Sequence, residues 1–244
     1  MAVGNVRLIR HGRTAYNAAM RLQGQIDIEL DEVGLWQAHT CAEVLAGGTK
    51  PARILVSDLS RAVETARVIA SRFDNVEVII DERIRERSFG PWEGMTGEEI
   101  SANWAEEFAQ WRGGAEPEVE GIESKSEVAE RMLEAIEEHS ADLSPKQTLF
   151  VVSHGAAISC AIAGFLGEDA SQWRGVAGMS NVHWSTVARN TSADAQPAWR
   201  LVEHNTGPSV VYGKNAWENG PEDAEAQVPI DPVRTASSVS FGEA

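Results

Sequence analysis

Two histidines in this 244-residue chain stand at the ends of short apolar runs. Val6 to Ile9 breaks off in Arg10-His11-Gly12, and Thr148 to Val152 breaks off in Ser153-His154-Gly155. Each run reads as a buried strand with a polar tip. A third run, Arg53 to Val56, precedes a helix that carries Arg61 in its first turn. A fourth, Val76 to Ile80, is followed by the turn Arg85-Glu86-Arg87. In an open parallel sheet the ligand lies at the C-terminal strand ends, so these side chains are candidates for a single site.

The residue types suit phosphoryl transfer. A phosphomonoester repels anionic nucleophiles, whereas an imidazole with an ordinary pKa of about 6.5 is largely neutral at pH 7 and can attack phosphorus. Guanidinium groups match the phosphoryl oxygens with paired donors, and fixed donors aimed at developing charge supply much of the rate. A carboxylic acid can protonate the leaving alkoxide and, once ionised, activate water. Taken singly, His11 and His154 would read as satisfied strand-end histidines, Arg61 as a helix-surface ion-pair former and Glu86 as a solvated acid. Two strand ends with histidine and arginine side by side are harder to explain that way. His39, His139, His183 and His204 have no motif around them and are expected to be structural or surface residues.

The elements that must position these groups follow from periodicity and caps. Asp31 is the expected N-cap of a helix running to about Leu45, stopped by Gly47-Gly48. Ser60 opens a helix to about Phe73. The Gly- and Pro-rich segment from about Ser88 to Ser124 reads as an insertion or lid around one short acidic helix near Gly97 to Trp111. Trp104, Phe108 and Trp111 sit there at helical spacing and are expected to serve packing rather than ligand contact. A long helix, about Glu127 to Glu138, precedes the clearest strand. Small residues to Leu166 form the helix after it. Two more strands, Val182 to Val187 and Trp199 to Glu203, end a domain spanning 1–205. Alternating strands and helices predict an α/β fold, with layers around a mostly parallel central sheet. Residues 206–244 read as an acidic C-terminal tail or arm, which Tyr212, Trp217 and Phe241 could pin to the body or to a second subunit in a homodimer.

Charge limits the partners. The formal net charge of −16 repels nucleic acid and anionic lipid, so neither nucleic acid nor membrane is an expected partner. A small anionic phosphorylated substrate requires arginines concentrated at one place. Cys41 and Cys160 fall inside apolar helical patterns and are expected to be reduced core residues. The N-terminal run is interrupted by Arg7, and the longest apolar stretch, Ala156 to Gly167, is shorter than the ~20 residues of a spanning helix. A cytoplasmic protein is expected. No acidic cluster has magnesium-site character, and neither metal nor cofactor is expected.

In order along the chain come Leu8-Ile9-Arg10-His11-Gly12 with Thr14 and Asn17; Ser57-Asp58-Leu59-Ser60-Arg61-Ala62 with Thr65; Ile84-Arg85-Glu86 with Phe89-Gly90-Pro91-Trp92-Glu93-Gly94; and Val151-Val152-Ser153-His154-Gly155. This ordered set resembles the four motifs of the histidine phosphatase, or phosphoglycerate-mutase-like, superfamily over roughly Val6 to Glu203. The resemblance implies a three-layer αβα sandwich. It implies that His11 is the phosphorylated nucleophile, that Arg10, Arg61 and His154 clamp the phosphate with Asn17 assisting, and that Glu86 is the proton donor. Trp92-Glu93-Gly94 resembles the phosphatase branch, so the implied activity is metal-independent hydrolysis of a small phosphorylated metabolite such as a phosphoglycerate or a sugar phosphate. Arg21 to Asp27 and Gly178 to Trp184 are similar to actinobacterial members that act on a glucosylated phosphoglycerate, which implies substrate contacts at Gln23 and Gly24. Gly121-Ile122-Glu123-Ser124 departs by one residue from the Gly-Glu-Ser triplet common among relatives. Two alternatives use the same fold: a cofactor-dependent phosphoglycerate mutase, and a non-catalytic binding or regulatory protein.

Overall fold

Apolar alternation on the central strand sets the layers. In the computed structural model, which describes residues 3–192, 194–208, 214–220 and 241–243, the strand Thr148–Ser153 is buried along its whole length. Its Leu149 and Val151 point into one core and its Phe150 and Val152 into the other, as the period of two requires. The sheet comprises β1 (Asn5–Arg10), β2 (Arg53–Val56), β3 (Glu77–Ile80), β4 (Thr148–Ser153), β5 (Trp184–Arg189), β6 (Trp199–Thr206) and β7 (Phe241–Glu243). Their order is β6-β5-β1-β4-β2-β3-β7. β1, β4, β2, β3 and β7 pair in parallel, while β5 runs antiparallel to both β1 and β6. This is the expected mostly parallel αβα sandwich.

The helices are α1 (Ala15–Ala18), α2 (Glu32–Ala46), α3 (Ser60–Ala70), α4 (Gly97–Asn103), α5 (Ala105–Arg112), α6 (Lys125–Glu138), α7 (Gly155–Phe165) and α8 (Lys214–Asn219). α2 and α3 cover one face of the sheet, and α6 and α7 the other. Each fully buried Leu, Ile or Val in these two cores contributes about 1.5–3 kcal/mol relative to exposure. Because α2 follows β1 on one face and α7 follows β4 on the other, the neighbouring strands β1 and β4 flank the switch point where a crevice opens. Asp31 caps α2 as expected, its carboxylate accepting from the Gly34 amide at 2.7 Å.

The lid differs from expectation. Two helices replace one, because Trp104 leaves the helical region at φ −138°, ψ 55° and closes α4 while opening α5. The break lets Trp104, Phe108 and Trp111 gather with Phe89, Trp92 and Ile100 in a third, smaller core. Beyond β6, the Trp217 indole of α8 is 1 % exposed and packs against Trp36 of α2 at 5.2 Å between ring centroids. Strand β7 pairs in parallel with β3. Tyr212 lies outside the described residues. Among the described residues no helix is long and apolar enough to cross a membrane.

Candidate active site

Strand register brings the two histidines together. The β1–β4 pairing sets Arg10 against Ser153, so the next residues, His11 and His154, emerge side by side with ring centroids 5.0 Å apart. The His11 amide continues the ladder to the Ser153 carbonyl at 2.9 Å, and the Ser57 amide does the same from β2 to Val152 at 3.1 Å. Both imidazoles are buried.

Hydrogen bonding determines which ring nitrogen is free. His11 Nδ1 lies 2.7 Å from the Gly12 carbonyl, which can only accept, so Nδ1 carries the proton and Nε2 holds the lone pair. Arg61 Nε donates to His154 Nδ1 at 3.3 Å, so His154 carries its proton on Nε2 and donates it to Ser57 Oγ at 2.9 Å. Burial, with Arg61 and Arg10 nearby, holds His11 well below its usual 6.5. Burial, Arg61, His11 and Arg10 do the same to His154. Both rings are therefore neutral at pH 7.

Two guanidinium groups face the pair. Arg61 is fully buried, held by the Ile26 and Gly24 carbonyls at 2.8 Å each. Arg10 donates from Nη1 to the Met179 carbonyl, and its buried Nε has no partner among the described residues. Burial pulls both below the usual arginine range, and they remain charged at neutral pH. The Glu86 carboxylate accepts from the Ala157 and Ala156 amides of the first turn of α7, at 2.9 and 3.2 Å, and from Arg87 N at 2.8 Å. Arg131 holds the Glu86 turn in place by donating to the carbonyls of Arg83, Arg85 and Glu86 while pairing with Glu123. The glutamate displaced by one position before α6 thus has a bracing role.

These groups open into one cavity of about 1130 Å³, which His11, Arg10, Asn17, Gln23, Gly24, Arg61 and Glu86 all line. His154 sits behind it, reached through Arg61. Gln23 is buried and accepts from Thr14 Oγ1 at 2.9 Å, and Asn17 Oδ1 accepts from Asn181 Nδ2 at 3.2 Å. The outer wall comes from the lid, including Phe108 and Trp111. Those rings therefore serve both packing and the cavity, which corrects the expectation of packing alone. The remaining histidines stay out of the cavity: His139 pairs with Asp81, His204 with Ser185, His183 with the Asn181 carbonyl, and burial beside Arg72 lowers the pKa of His39. Cys41 and Cys160 are buried and free, as expected.

Three supporting residues were not singled out from sequence. Ser57 fixes the His154 tautomer. Glu93 accepts from the Gln25 and Phe89 amides at 3.1 and 2.9 Å, stitching the Arg61-binding loop to the lid. Asn181 donates to the His11 carbonyl at 3.0 Å and is itself held by the Trp217 indole at 2.9 Å. All three stand inside or beside motif segments, which was the available signal; their partners depend on the fold.

A buried, neutral histidine with a free Nε2, flanked by two arginines at the strand ends, defines a phosphoryl-transfer site of the histidine phosphatase type. The chain belongs to the histidine phosphatase superfamily (branch 1), whose family model matches residues 6–205. It is 36 % identical over 226 residues to glucosyl-3-phosphoglycerate phosphatase of Mycolicibacterium vanbaalenii, covering 86 % of this chain and 98 % of the relative. The Mycobacterium tuberculosis protein of that name is 34 % identical over 83 % of this chain and 95 % of its own. A solved structure of mycobacterial glucosyl-3-phosphoglycerate phosphatase with VO3 superposes at a TM-score of 0.74, with 33 % identity over 84 % of this chain and all of that chain.

Proposed function

We propose that this protein hydrolyses the phosphomonoester of a small metabolite through a phosphohistidine at His11 Nε2. The observation that carries the reading is the tautomer of His11: Nδ1–H is committed to the Gly12 carbonyl, leaving the Nε2 lone pair beside Arg10 and Arg61. In the first step Nε2 forms a bond to phosphorus as the P–O ester bond breaks, and Glu86 gives its proton to the leaving alkoxide. Arg61 and the unpartnered Nε of Arg10 meet the charge on the equatorial oxygens. In the second step the Glu86 carboxylate takes a proton from water as its oxygen bonds to phosphorus. The P–N bond breaks, its electrons return to Nε2, and phosphate leaves. Asn17, Gln23 and Gly24 complete the phosphate and substrate contacts, while His154, behind the cavity, accepts from Arg61 and holds that guanidinium in place.

The named activity of the mycobacterial relatives and a cavity with room well beyond a phosphoryl group make glucosyl-3-phosphoglycerate the first compound to test. The experiment is phosphate release from glucosyl-3-phosphoglycerate, 3-phosphoglycerate, phosphoserine and sugar phosphates, with and without EDTA, while 2-phosphoglycerate formation is followed in parallel. Release from one compound at a rate unchanged by EDTA is expected. Isomerisation without release, or reversible loss of rate in EDTA, would overturn the reading.

A further inference from the structure

A second cavity, of about 430 Å³, lies behind the lid on the flank of α7. Phe89 and Trp111 line both cavities, and their edge-to-face pair, 6.1 Å between centroids, forms the wall between them. No residue of the phosphate-binding cluster lines the second cavity.

Its charge is opposite to that of the chain. Arg87, Lys125 and Arg174 all line it, and no carboxylate does. Arg87 is neutralised from outside by Glu116, which also accepts from the Lys125 amide at 3.0 Å. Lys125 Nζ donates to the Gly114 carbonyl at 2.9 Å, and Arg174 Nη1 to the Gln172 carbonyl at 3.3 Å. Neither Lys125 nor Arg174 has an acidic side chain in ion-pair contact among the described residues. An ammonium has three donors and a guanidinium five, so the half-buried Lys125 and the exposed Arg174 both have donors that a ligand can take over from water. Burial, and then Arg174 and Arg87, push the Lys125 ammonium down despite Glu116. Between the cations the walls are apolar, with Trp111 and Trp173 and small side chains of α7.

We propose that this cavity binds a small organic dianion with a flat apolar body, its phosphate or carboxylate groups on Lys125 and Arg174 and its body between Trp111 and Trp173. On a chain of net charge −16, three cations converge on this cavity and among them Arg87 has an ion-pair partner, which leaves Lys125 and Arg174 placed to meet an anion. The volume lies within the range of small-molecule sites, and cations around an aromatic slot select charge at one end and a ring at the other. The ligand stands against the reverse side of the rings that wall the catalytic cavity, separate from the substrate.

The test is calorimetric titration of the full chain with phenylphosphonate, an aryl dianion without a hydrolysable ester. Two molecules per chain are expected. Lys125→Gln and Arg174→Gln should each weaken one of them by about tenfold or more, about 1.4 kcal/mol. The double variant should bind one molecule, and its hydrolysis of p-nitrophenyl phosphate should stay within about twofold of the parent, which also reports that it is folded. Arg61→Gln should remove the other molecule and leave this one, so failure of the catalytic reading and failure of this site are distinguishable. One molecule per parent chain, or two in the double variant, would overturn the proposal.

Discussion

The catalytic floor and the lid are built by different forces. The floor consists of strand ends in fixed parallel register, with His11, His154 and Arg61 buried and tied by hydrogen bonds to backbone or to one another. The lid is two short helices folded over a cluster of rings: Trp92 meets Phe108 and Trp111 edge-on at 6.0 and 5.9 Å. Its edges are tied to the rest of the chain by hydrogen bonds, among them Leu22 to Met95 and Gly94 to Leu22 between backbones at 2.9 and 2.7 Å, Glu93 to the Gln25 amide, and Arg21 to Glu99 and the Gly94 carbonyl. A floor of directional bonds fixes reacting atoms to the tolerance that bond-making needs. A lid whose interior is packed rings, tied by hydrogen bonds at its edges, can change its lining without disturbing them. Chemistry and selectivity are therefore separable here, and each can be perturbed alone.

The largest break falls on the floor. His11→Ala removes the proposed nucleophile and should lower kcat by about 10⁴-fold or more for every substrate, measured as phosphate release. Glu86→Gln should lower kcat by about 10²–10⁴-fold, the usual contribution of a positioned proton donor. The loss should be greatest for alkyl phosphates and smallest for p-nitrophenyl phosphate, whose leaving group needs little protonation. The lid should respond differently. Trp111→Ala should raise KM by about tenfold, about 1.4 kcal/mol, for a substrate filling the cavity, with little change in kcat for p-nitrophenyl phosphate. Equal losses on both substrates would mean that floor and lid are one unit.

The smallest effect concerns acid. In the proposed mechanism neutral His11 is the reactive form, and burial beside Arg61 and Arg10 holds its pKa well below 6.5. The acid limb of kcat/KM assigned to His11 should therefore fall below pH 6.5; an inflection at 6.5 would mean a solvated imidazole. Stability has the same sign. Below pH 6.5 the unfolded histidines take up protons while His11 and His154 do not, so the unfolded state binds more protons and is favoured. Denaturant titrations should show stability intact above pH 6.5 and declining as pH falls from there toward the lowered folded-state values.

Much of the architecture was legible from local patterns. The strand Arg53–Val56 and the Asp31 cap lie where apolar runs and capping chemistry put them. Among the residues that line the cavity, His11, Arg10 and Arg61 were suggested by types that fit a single reaction, whereas the choice of Glu86 over its acidic neighbours rested on the family resemblance. The lid helix was misread because an unbroken helical spacing of rings does not reveal that Trp104 turns the chain.

The sequence by itself determined which groups are available: an imidazole, two guanidinium groups and a carboxyl at strand ends, on a chain too acidic to hold an anion anywhere else but at concentrated cations. Tertiary structure alone decided the Arg10–Ser153 register that joins the histidines, the Gly12 and Ser57 bonds that set their tautomers, and the second cavity where Lys125 meets Arg174. The physical reason is range. Periodicity and caps report interactions over a few residues, whereas the β1–β4 register, the Ser57–His154 bond and the second cavity arise between segments far apart in the chain, whose meeting only the packed sheet specifies.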